Sequence, residues 1–303
     1  MIQLGVLLCY CLGAGLYWRW VALVPTSLYL LLLLLLLRVP ESPLWLLGHR
    51  PHQAAAALQW LRQTEDVSQE LEELRQTMEN QSQALSTWQA LSNLARPDIW
   101  KPFLLIIANF NFVIFSGTSI IIFYAVEIFH SMGTNLSDHL AAILTASISV
   151  LGGIVGIFLV QKLPRVRLSM ILMTVMGLAM ATLGLVVYLR PNYPALSSVL
   201  NTVQLLTVTV YMFSYGAGPA LLLWVFLAEL LPREYKVLSG MILATANLPV
   251  FLITKIYPTL LQYLAPHAIY WLLATVALSS NIFYAFHAGD QGGETQLEVK
   301  QMF

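Results

Sequence analysis

The stretch RVPESPLWLLGHRPHQAAAALQWLRQTED, residues 38–66, follows a run of eight leucines. An apolar helix must end where this stretch begins, because Pro40 and Pro43 cannot donate the amide hydrogen bonds that continue a helix. Pro51 then stands before an alanine-rich segment, at a place where a first-turn proline is well tolerated. The stretch therefore predicts the exit of a membrane span, followed by short amphipathic helices.

The composition of the whole chain is that of a membrane protein. Of 303 residues, 58% are hydrophobic and 10% are charged, whereas a soluble domain carries about 25% charged residues. Of the 30 charged side chains, 14 lie between residues 38 and 101. The rest consists of apolar segments of about 20 residues, the length that crosses a bilayer core. We predict an all-α polytopic membrane protein, since lipid offers no partner to an open backbone.

Eight membrane spans are predicted. The sixth is too long for a straight crossing and contains Gly216, Gly218 and Pro219, so we expect a bend there. The predicted spans cover residues 2–17, 20–37, 103–126, 139–160, 168–189, 199–230, 237–261 and 267–287.

The distribution of lysine and arginine predicts the orientation. One set of loops holds 12 of the 15 cations, while the opposite set holds only Arg19 and Arg190, and Lys255 lies inside a span. An excess of cations marks the cytoplasmic side. Residues 38–101 and both termini are therefore expected in the cytoplasm, and the glycosylation triplet at 135–137 outside.

Several classes of function are excluded by composition. The net charge is zero and there is no basic run, so nucleic acid is not an expected partner. Cys9 and Cys11 point to different faces of one apolar helix, and the six histidines lack zinc-type spacing. No base, nucleophile or metal set converges, so we expect neither an enzyme nor a cofactor.

Residues 40–47, PESPLWLL, resemble the Pro-Glu-Ser-Pro-Arg-aromatic-Leu motif of the sugar porters of the major facilitator superfamily. In that family the motif follows the sixth transmembrane helix and opens an intracellular helical domain. Further resemblances follow in order, and they are closest to the glucose-transporter branch that includes the insect facilitated trehalose transporters. The residues that carry these further resemblances are the Trp-Arg-Trp turn at 18–20, Ser116-Gly117 with Phe123-Tyr124, and Gly218-Pro219 with Trp224, Ala228-Glu229 and Pro232.

The resemblance implies a major facilitator fold that begins at the family's fifth helix, so that the first four of twelve spans are absent. It implies four parts. Residues 1–37 are family helices five and six, 38–101 the intracellular helical domain, 102–288 the C-terminal six-helix bundle, and 289–303 a cytoplasmic tail.

The resemblance also implies sugar-binding positions, several of which differ here from the family. The paired glutamines of the seventh helix are replaced by Val113 and Ile114, which removes groups that both donate and accept hydrogen bonds to hydroxyls. Family sugar-binding positions are occupied here by Trp224, Asn247, Ser119 and Ser149. Asn109 and Asn111 are interpreted as helix-contact residues.

A charge network that gates the family's carriers is reduced in this chain. The family pairs an acidic residue, an Arg-x-Gly-Arg-Arg loop and a Glu-to-Arg pair after the tenth helix. The family's acidic residue aligns here with Gln161, and the charges expected to form a reduced network are Glu41, Arg165, Glu229 and Lys236. Lysine keeps the charge but loses the bidentate fork of arginine.

The resulting hypothesis is a facilitative, alternating-access carrier of a hexose or trehalose-like sugar in the plasma membrane. Its expected partners are the sugar, the bilayer, and a second chain if the missing helices are not part of a longer product. Two alternatives stay open. One is a non-transporting or regulatory member that has lost its sugar ligands, and the other is a carrier for a less polar solute.

The orientation can be tested by accessibility. A tag or protease site placed between residues 40 and 95 should be reached only from the cytoplasmic side, because the cations that flank it favour that side. Labelling of this region from outside sealed cells would contradict both the topology and the alignment.

Overall fold

The computed structural model describes residues 2–81, 92, 97–132, 137–230, 235 and 237–291. Contacts divide the chain into two compact units, residues 1–15, 96–231 and 239–303 in the first, and 16–95 and 232–238 in the second. The described helices are α1 (Ile2–Gly15), α2 (Trp18–Leu36), α3 (Pro43–His49), α4 (Pro51–Arg62), α5 (Ser68–Gln81), α6 (Pro97–Val113), α7 (Ser119–Met132), α8 (Asp138–Lys162), α9 (Arg165–Leu189), α10 (Ser197–Ala217), α11 (Pro219–Leu230), α12 (Val237–Tyr263) and α13 (Pro266–Gln291).

Seven helical stretches among the described residues are long and apolar enough to cross a membrane. This confirms the predicted all-α, multi-pass membrane protein. The span expected at 2–17 is the exception, because α1 has 14 residues. At 1.5 Å per residue it is about 21 Å long, shorter than a hydrocarbon core of about 30 Å. The extended backbone of Tyr17 (φ −66°, ψ 145°) separates it from α2.

The first unit is held together by closely approaching helices. A Cβ added to Gly216 on α10 would lie 2.1 Å from the backbone oxygen of Ser149 on α8. No side chain fits in that space, so the two backbones touch directly. Small residues at such crossings are typical of membrane helices, where close packing replaces the hydrophobic drive that water supplies.

The bend predicted in the sixth span is confirmed. Helix α10 ends at Ala217, α11 begins at Pro219, and Gly218 between them has φ −146° and ψ −72°. Pro219 has no amide hydrogen to continue the helix. The bend seats α11 against α9 in an apolar cluster that contains Leu168, Leu172, Ala217, Leu222 and Phe226.

A second break was not predicted from the sequence. The span expected at 103–126 consists of α6 and α7 joined by a π-helical segment, Ile114–Thr118. Gly117 within it has φ 104°, a conformation that glycine adopts without steric cost. Residues 116–119 of the span are Ser-Gly-Thr-Ser, but the apolar residues on both sides keep the whole segment hydrophobic, which is why hydropathy alone indicated one helix.

The second unit contains α2 and three short helices. Helices α3 and α4 share a small core of Leu46, Leu47, Ala54 and Ala57, against which apolar residues of α5 pack. Arg62 Nε donates to both carboxylate oxygens of Glu70 at 3.1 and 3.0 Å, and so joins α4 to α5.

The Arg62–Glu70 pair depends on pH. The hydrogen bonds from Arg62 hold the pKa of Glu70 below its usual value. Because the folded-state pKa is lowered, the stabilisation is present at neutral pH and is lost as the pH falls through that value.

The close crossing of α8 and α10 makes a prediction about stability. Gly216→Ala should lower the midpoint of thermal unfolding in detergent by about 2–6 °C, since overpacking costs about 1–3 kcal/mol. The matched control is Gly5→Ala, because a Cβ at Gly5 has nothing within 4 Å and alanine is the better helix former. An equal loss of stability in both variants would contradict the crossing.

Candidate functional site

A small cavity lies in the first unit, between α1, α7, α8 and α10. Its volume is about 20 Å³, which is about the size needed for one water molecule. A sugar would fit only after the surrounding helices move apart. The lining residues are Ile2, Gln3, Val6, Ile122, Ala146, Ser149, Met212 and Tyr215.

Three of the lining side chains are polar. Ser149 is buried and its hydroxyl oxygen has no hydrogen-bond partner within the described part of the chain. The amide of Gln3 lies nearby, because a Cβ added to Gly216 would be 3.2 Å from Gln3 Nε2. Tyr215 contributes a third polar side chain. An amide and two hydroxyls can both donate and accept hydrogen bonds, so these three residues give a mostly apolar cavity its groups for binding hydroxyls.

Helix α1 is fixed against the wall of the cavity by a hydrogen bond to α7. The hydroxyl of Tyr10 donates to the backbone oxygen of Ile122. A Cβ added to Gly153 on α8 would lie 2.5 Å from Gln3 Oε1, so the glycine leaves room for the glutamine. The position of Gln3 thus depends on the hydrogen bond of Tyr10 to α7 and on the absence of a side chain at Gly153 of α8.

The break between α6 and α7 frees backbone groups, and a buried tyrosine satisfies one of them. The Tyr211 hydroxyl donates to the backbone oxygen of Ser116 at 3.1 Å and lies 3.1 Å from the Ser116 hydroxyl. The hydroxyls of Ser116 and Thr118 donate to the oxygen of Val113 at 2.7 and 2.9 Å. Interhelical and local hydrogen bonds therefore replace those that the helix loses.

The predicted sugar-binding residues are not all brought together. Ser149 lines the cavity, whereas Ser119 is buried at the start of α7 and is not among the lining residues. Trp224 is 45% exposed and packs edge-on against Phe110 at 6.3 Å. Asn247 is exposed, and its Nδ2 donates to Leu243 of its own helix at 2.7 Å. The sugar-binding role of these four residues stays a prediction.

The two positions where the family has glutamines lie inside the first unit. Val113 is 2% exposed and Ile114 is 7% exposed. Both sit beside the break between α6 and α7, so their side chains pack within the helix bundle and offer no polar atom to a ligand.

Asn109 makes an interhelical contact, as expected for a helix-contact residue. Its Oδ1 accepts a hydrogen bond from the Tyr284 hydroxyl on α13, while Asn111 Nδ2 donates within its own helix to Ile107 at 2.8 Å. Only the first of the two asparagines therefore joins neighbouring helices through its side chain in the described residues.

Two of the four predicted gating charges form an ion pair. Arg165, at the start of α9, donates through Nη1 to Glu229 near the end of α11. Glu41 belongs to the second unit, and Lys236 lies outside the described residues. The pair joins α9 to α11, but its gating role stays a prediction.

Sequence reasoning missed Gln3, Tyr211 and Tyr215. The signal that could have found them is a polar side chain within an apolar span, which faces the bundle interior in most membrane proteins. In the described residues no group of three or more histidine, cysteine, aspartate or glutamate side chains is placed to hold a metal ion.

Comparison with known proteins identifies the family. The profile described as "Sugar (and other) transporter" matches residues 1–303. The chain belongs to this family of sugar transporters. The resemblance to the sugar porters is thereby confirmed.

Two insect relatives illustrate how far the similarity extends. Facilitated trehalose transporter Tret1 of Apis mellifera ligustica is 28% identical over 304 residues, covering 99% of this chain and 60% of the relative. The Tret1-2 homolog of Drosophila sechellia is 27% identical and covers 99% of this chain and 62% of the relative. The chain therefore spans about 60% of the length of these relatives.

Solved structures of the E. coli xylose transporter XylE share the fold. The partially occluded inward-open form has a TM-score of 0.69 at 20% identity, covering 93% of this chain and 60% of XylE. XylE bound to 6-bromo-6-deoxy-D-glucose has a TM-score of 0.70 at 21% identity, with 93% and 61% covered. The chain therefore has the major facilitator superfamily fold.

The hydrogen bonds at the helix break predict the effect of removing one hydroxyl. Tyr211→Phe leaves the buried oxygen of Ser116 without its interhelical donor, which should cost about 1–3 kcal/mol of stability. Thermal unfolding in detergent measures the loss, with Tyr263→Phe as control because Tyr263 is 83% exposed. If Tyr211→Phe were as stable as the control, the hydroxyl would not be holding the break.

Proposed function

We propose that the chain forms the larger part of a carbohydrate carrier that moves a hexose or a trehalose-like sugar by facilitated, alternating access. The observation that carries the proposal is the match of all 303 residues to the sugar transporter family. The cavity between discontinuous helices, with Gln3, Ser149 and Tyr215 among its lining residues, supports it, because carrier sites commonly lie where broken helices meet near the middle of the bilayer.

The two helix breaks would serve as hinges. Gly117 separates α6 from α7, and Gly218 separates α10 from α11. The segments beyond each break can rotate as rigid rods, since only a few backbone angles at the break need to change. Movement of α7 would displace Ile122, which lines the cavity together with Ser149.

The sugar hydroxyls would then exchange their hydrogen bonds with water for bonds to Gln3 and Ser149. The unpartnered hydroxyl of Ser149 is the strongest single indication, because an unsatisfied buried polar atom costs about 1–3 kcal/mol until a ligand pairs with it. Trp224 would supply an aromatic platform for the apolar face of the ring, and Asn247 and Ser119 would contact the sugar only after rearrangement.

Alternating access needs two halves that rock against each other around the site. We assign to this chain family helices five and six, the intracellular helical domain and the C-terminal half. The remaining helices would come from a longer product or from a second chain. In this proposal the carrier lies in the plasma membrane with residues 38–101 and both termini inside, and Arg165–Glu229 gates its inner end together with Glu41 and Lys236.

A non-transporting, regulatory member of the family is the second candidate. Val113 and Ile114 favour it, because these buried apolar side chains stand where the family has its sugar-binding glutamines. A carrier for a less polar solute would explain the same two residues without loss of transport.

Uptake in vesicles distinguishes these functions. Radiolabelled glucose and trehalose would be offered to vesicles with this chain alone, and to vesicles in which it is combined with the first four helices of a relative. The carrier proposal expects saturable uptake only in the combined vesicles, since one half cannot rock by itself. Uptake by the chain alone would overturn the two-half mechanism, and no uptake or sugar binding in either would favour the regulatory member.

Variants of the cavity then test the site. Gln3→Ala and Ser149→Ala should each weaken sugar affinity in the combined vesicles roughly tenfold, the equivalent of about 1.4 kcal/mol. Gln262→Ala and Ser198→Ala are the controls, because both residues are exposed. Equal affinities for all four variants would place the sugar elsewhere.

A further inference from the structure

The second unit has a cavity of its own at the end of α2. Its volume is about 440 Å³, within the range of about 300–1,000 Å³ that is usual for small-molecule sites. The sugar-carrier proposal assigns it no ligand, although one of its lining residues, Glu41, belongs to the proposed gate. The lining residues are Leu37, Arg38, Val39, Pro40, Glu41, Leu46, Gln53, Ala56, Ala57 and Trp60.

The position of this cavity relative to the bilayer follows from the length of α2. This helix has 19 residues, none of them buried by protein, and is about 29 Å long. A hydrocarbon core is about 30 Å thick. Leu37 and Arg38 follow the helix directly, so the chain enters the cavity at the depth of the lipid headgroups.

Two opposite charges line the cavity without pairing with each other. Arg38 and Glu41 are both exposed, and no ion pair joins either of them to another side chain in the described residues. They are three residues apart, on a segment that has left the helix. A ligand that carries both a negative and a positive group would satisfy both charges.

The remaining walls are suited to an amphiphile. Trp60 is 55% exposed and Leu37 78% exposed, so apolar surface stands open beside the charges. Tryptophan is enriched at the level of lipid headgroups because its ring is apolar and its N–H is polar. Gln53 adds an amide that can donate to and accept from ester or glycerol oxygens.

We propose that this cavity binds the headgroup of an aminophospholipid. Arg38 takes the phosphate, for which a guanidinium is well matched, and Glu41 accepts hydrogen bonds from the primary ammonium. The apolar walls take the glycerol end and the start of the acyl chains. A choline headgroup keeps the positive charge but has no N–H to donate, and a glycerol headgroup has no cation, so both bind more weakly.

Native mass spectrometry of the full chain, released from nanodiscs with equal amounts of phosphatidylethanolamine, phosphatidylcholine and phosphatidylglycerol, tests the proposal. We expect retained phosphatidylethanolamine to exceed each of the others. Arg38→Gln and Glu41→Gln should each lower its apparent affinity about tenfold, the loss of one charge-assisted contact. Arg50→Gln and Glu65→Gln make the same charge changes outside the cavity and should have no effect.

A charge swap separates binding from folding. Arg38→Glu alone should abolish the preference, and combination with Glu41→Arg should restore part of it, because the headgroup can bind in the reverse direction. Equal retention of the three lipids, or no response to any of the four cavity variants, would overturn the proposal. Soluble phosphoethanolamine that displaced the lipid at equal concentration would also overturn it, since the apolar walls would then contribute nothing.

Discussion

Every backbone hydrogen bond that a membrane helix gives up must be made again inside the protein, because lipid supplies no donor or acceptor. The break between α6 and α7 obeys this constraint through Tyr211, which reaches the backbone oxygen of Ser116 from a neighbouring helix. The hydroxyls of Ser116 and Thr118 satisfy Val113 from within the break. The interruption is therefore a bonded structure, and the helices on either side of it stay intact.

The same constraint explains where the cavity can form. Backbone contact between Ser149 and Gly216 brings α8 and α10 together, and it places Ser149 beside Gln3 of α1 and Tyr215 of α10. The small space left between α1, α7, α8 and α10 is lined mostly by apolar residues, with Gln3, Ser149 and Tyr215 as its polar side chains. Our proposal places the hydroxylated substrate in this space, between the segments that it assigns to pivot.

The second unit is held together by different interactions. Its core consists of a few leucines and alanines, and a surface ion pair, Arg62–Glu70, joins its helices. Exposed ion pairs of this kind contribute little by themselves. Glu41 has two possible partners in our proposals, the cations of the gate and the ammonium of a lipid. Both uses require a carboxylate that is free of a local partner, and that is how Glu41 is found in the described residues.

Much of the fold could be predicted, because hydropathy reports directly which segments lipid accepts. The spans, the bend at Gly218 and the short helices after residue 40 all carry a local signal in proline, glycine or apolar length. The break at Gly117 has a glycine but no proline, and the apolar residues on both sides of 116–119 keep the segment as hydrophobic as a continuous span.

The sequence by itself determined that this chain is a bundle of membrane helices of the sugar transporter family, since apolar length and motif order are properties of the chain alone. Only the tertiary structure decided which polar residues meet. Gln3 and Ser149 are far apart in sequence and become neighbours because two glycines leave room for them. Arg165 and Glu229 become partners because the bend seats α11 on α9. Proximity between distant residues depends on how helices pack, and packing is not encoded in any one segment.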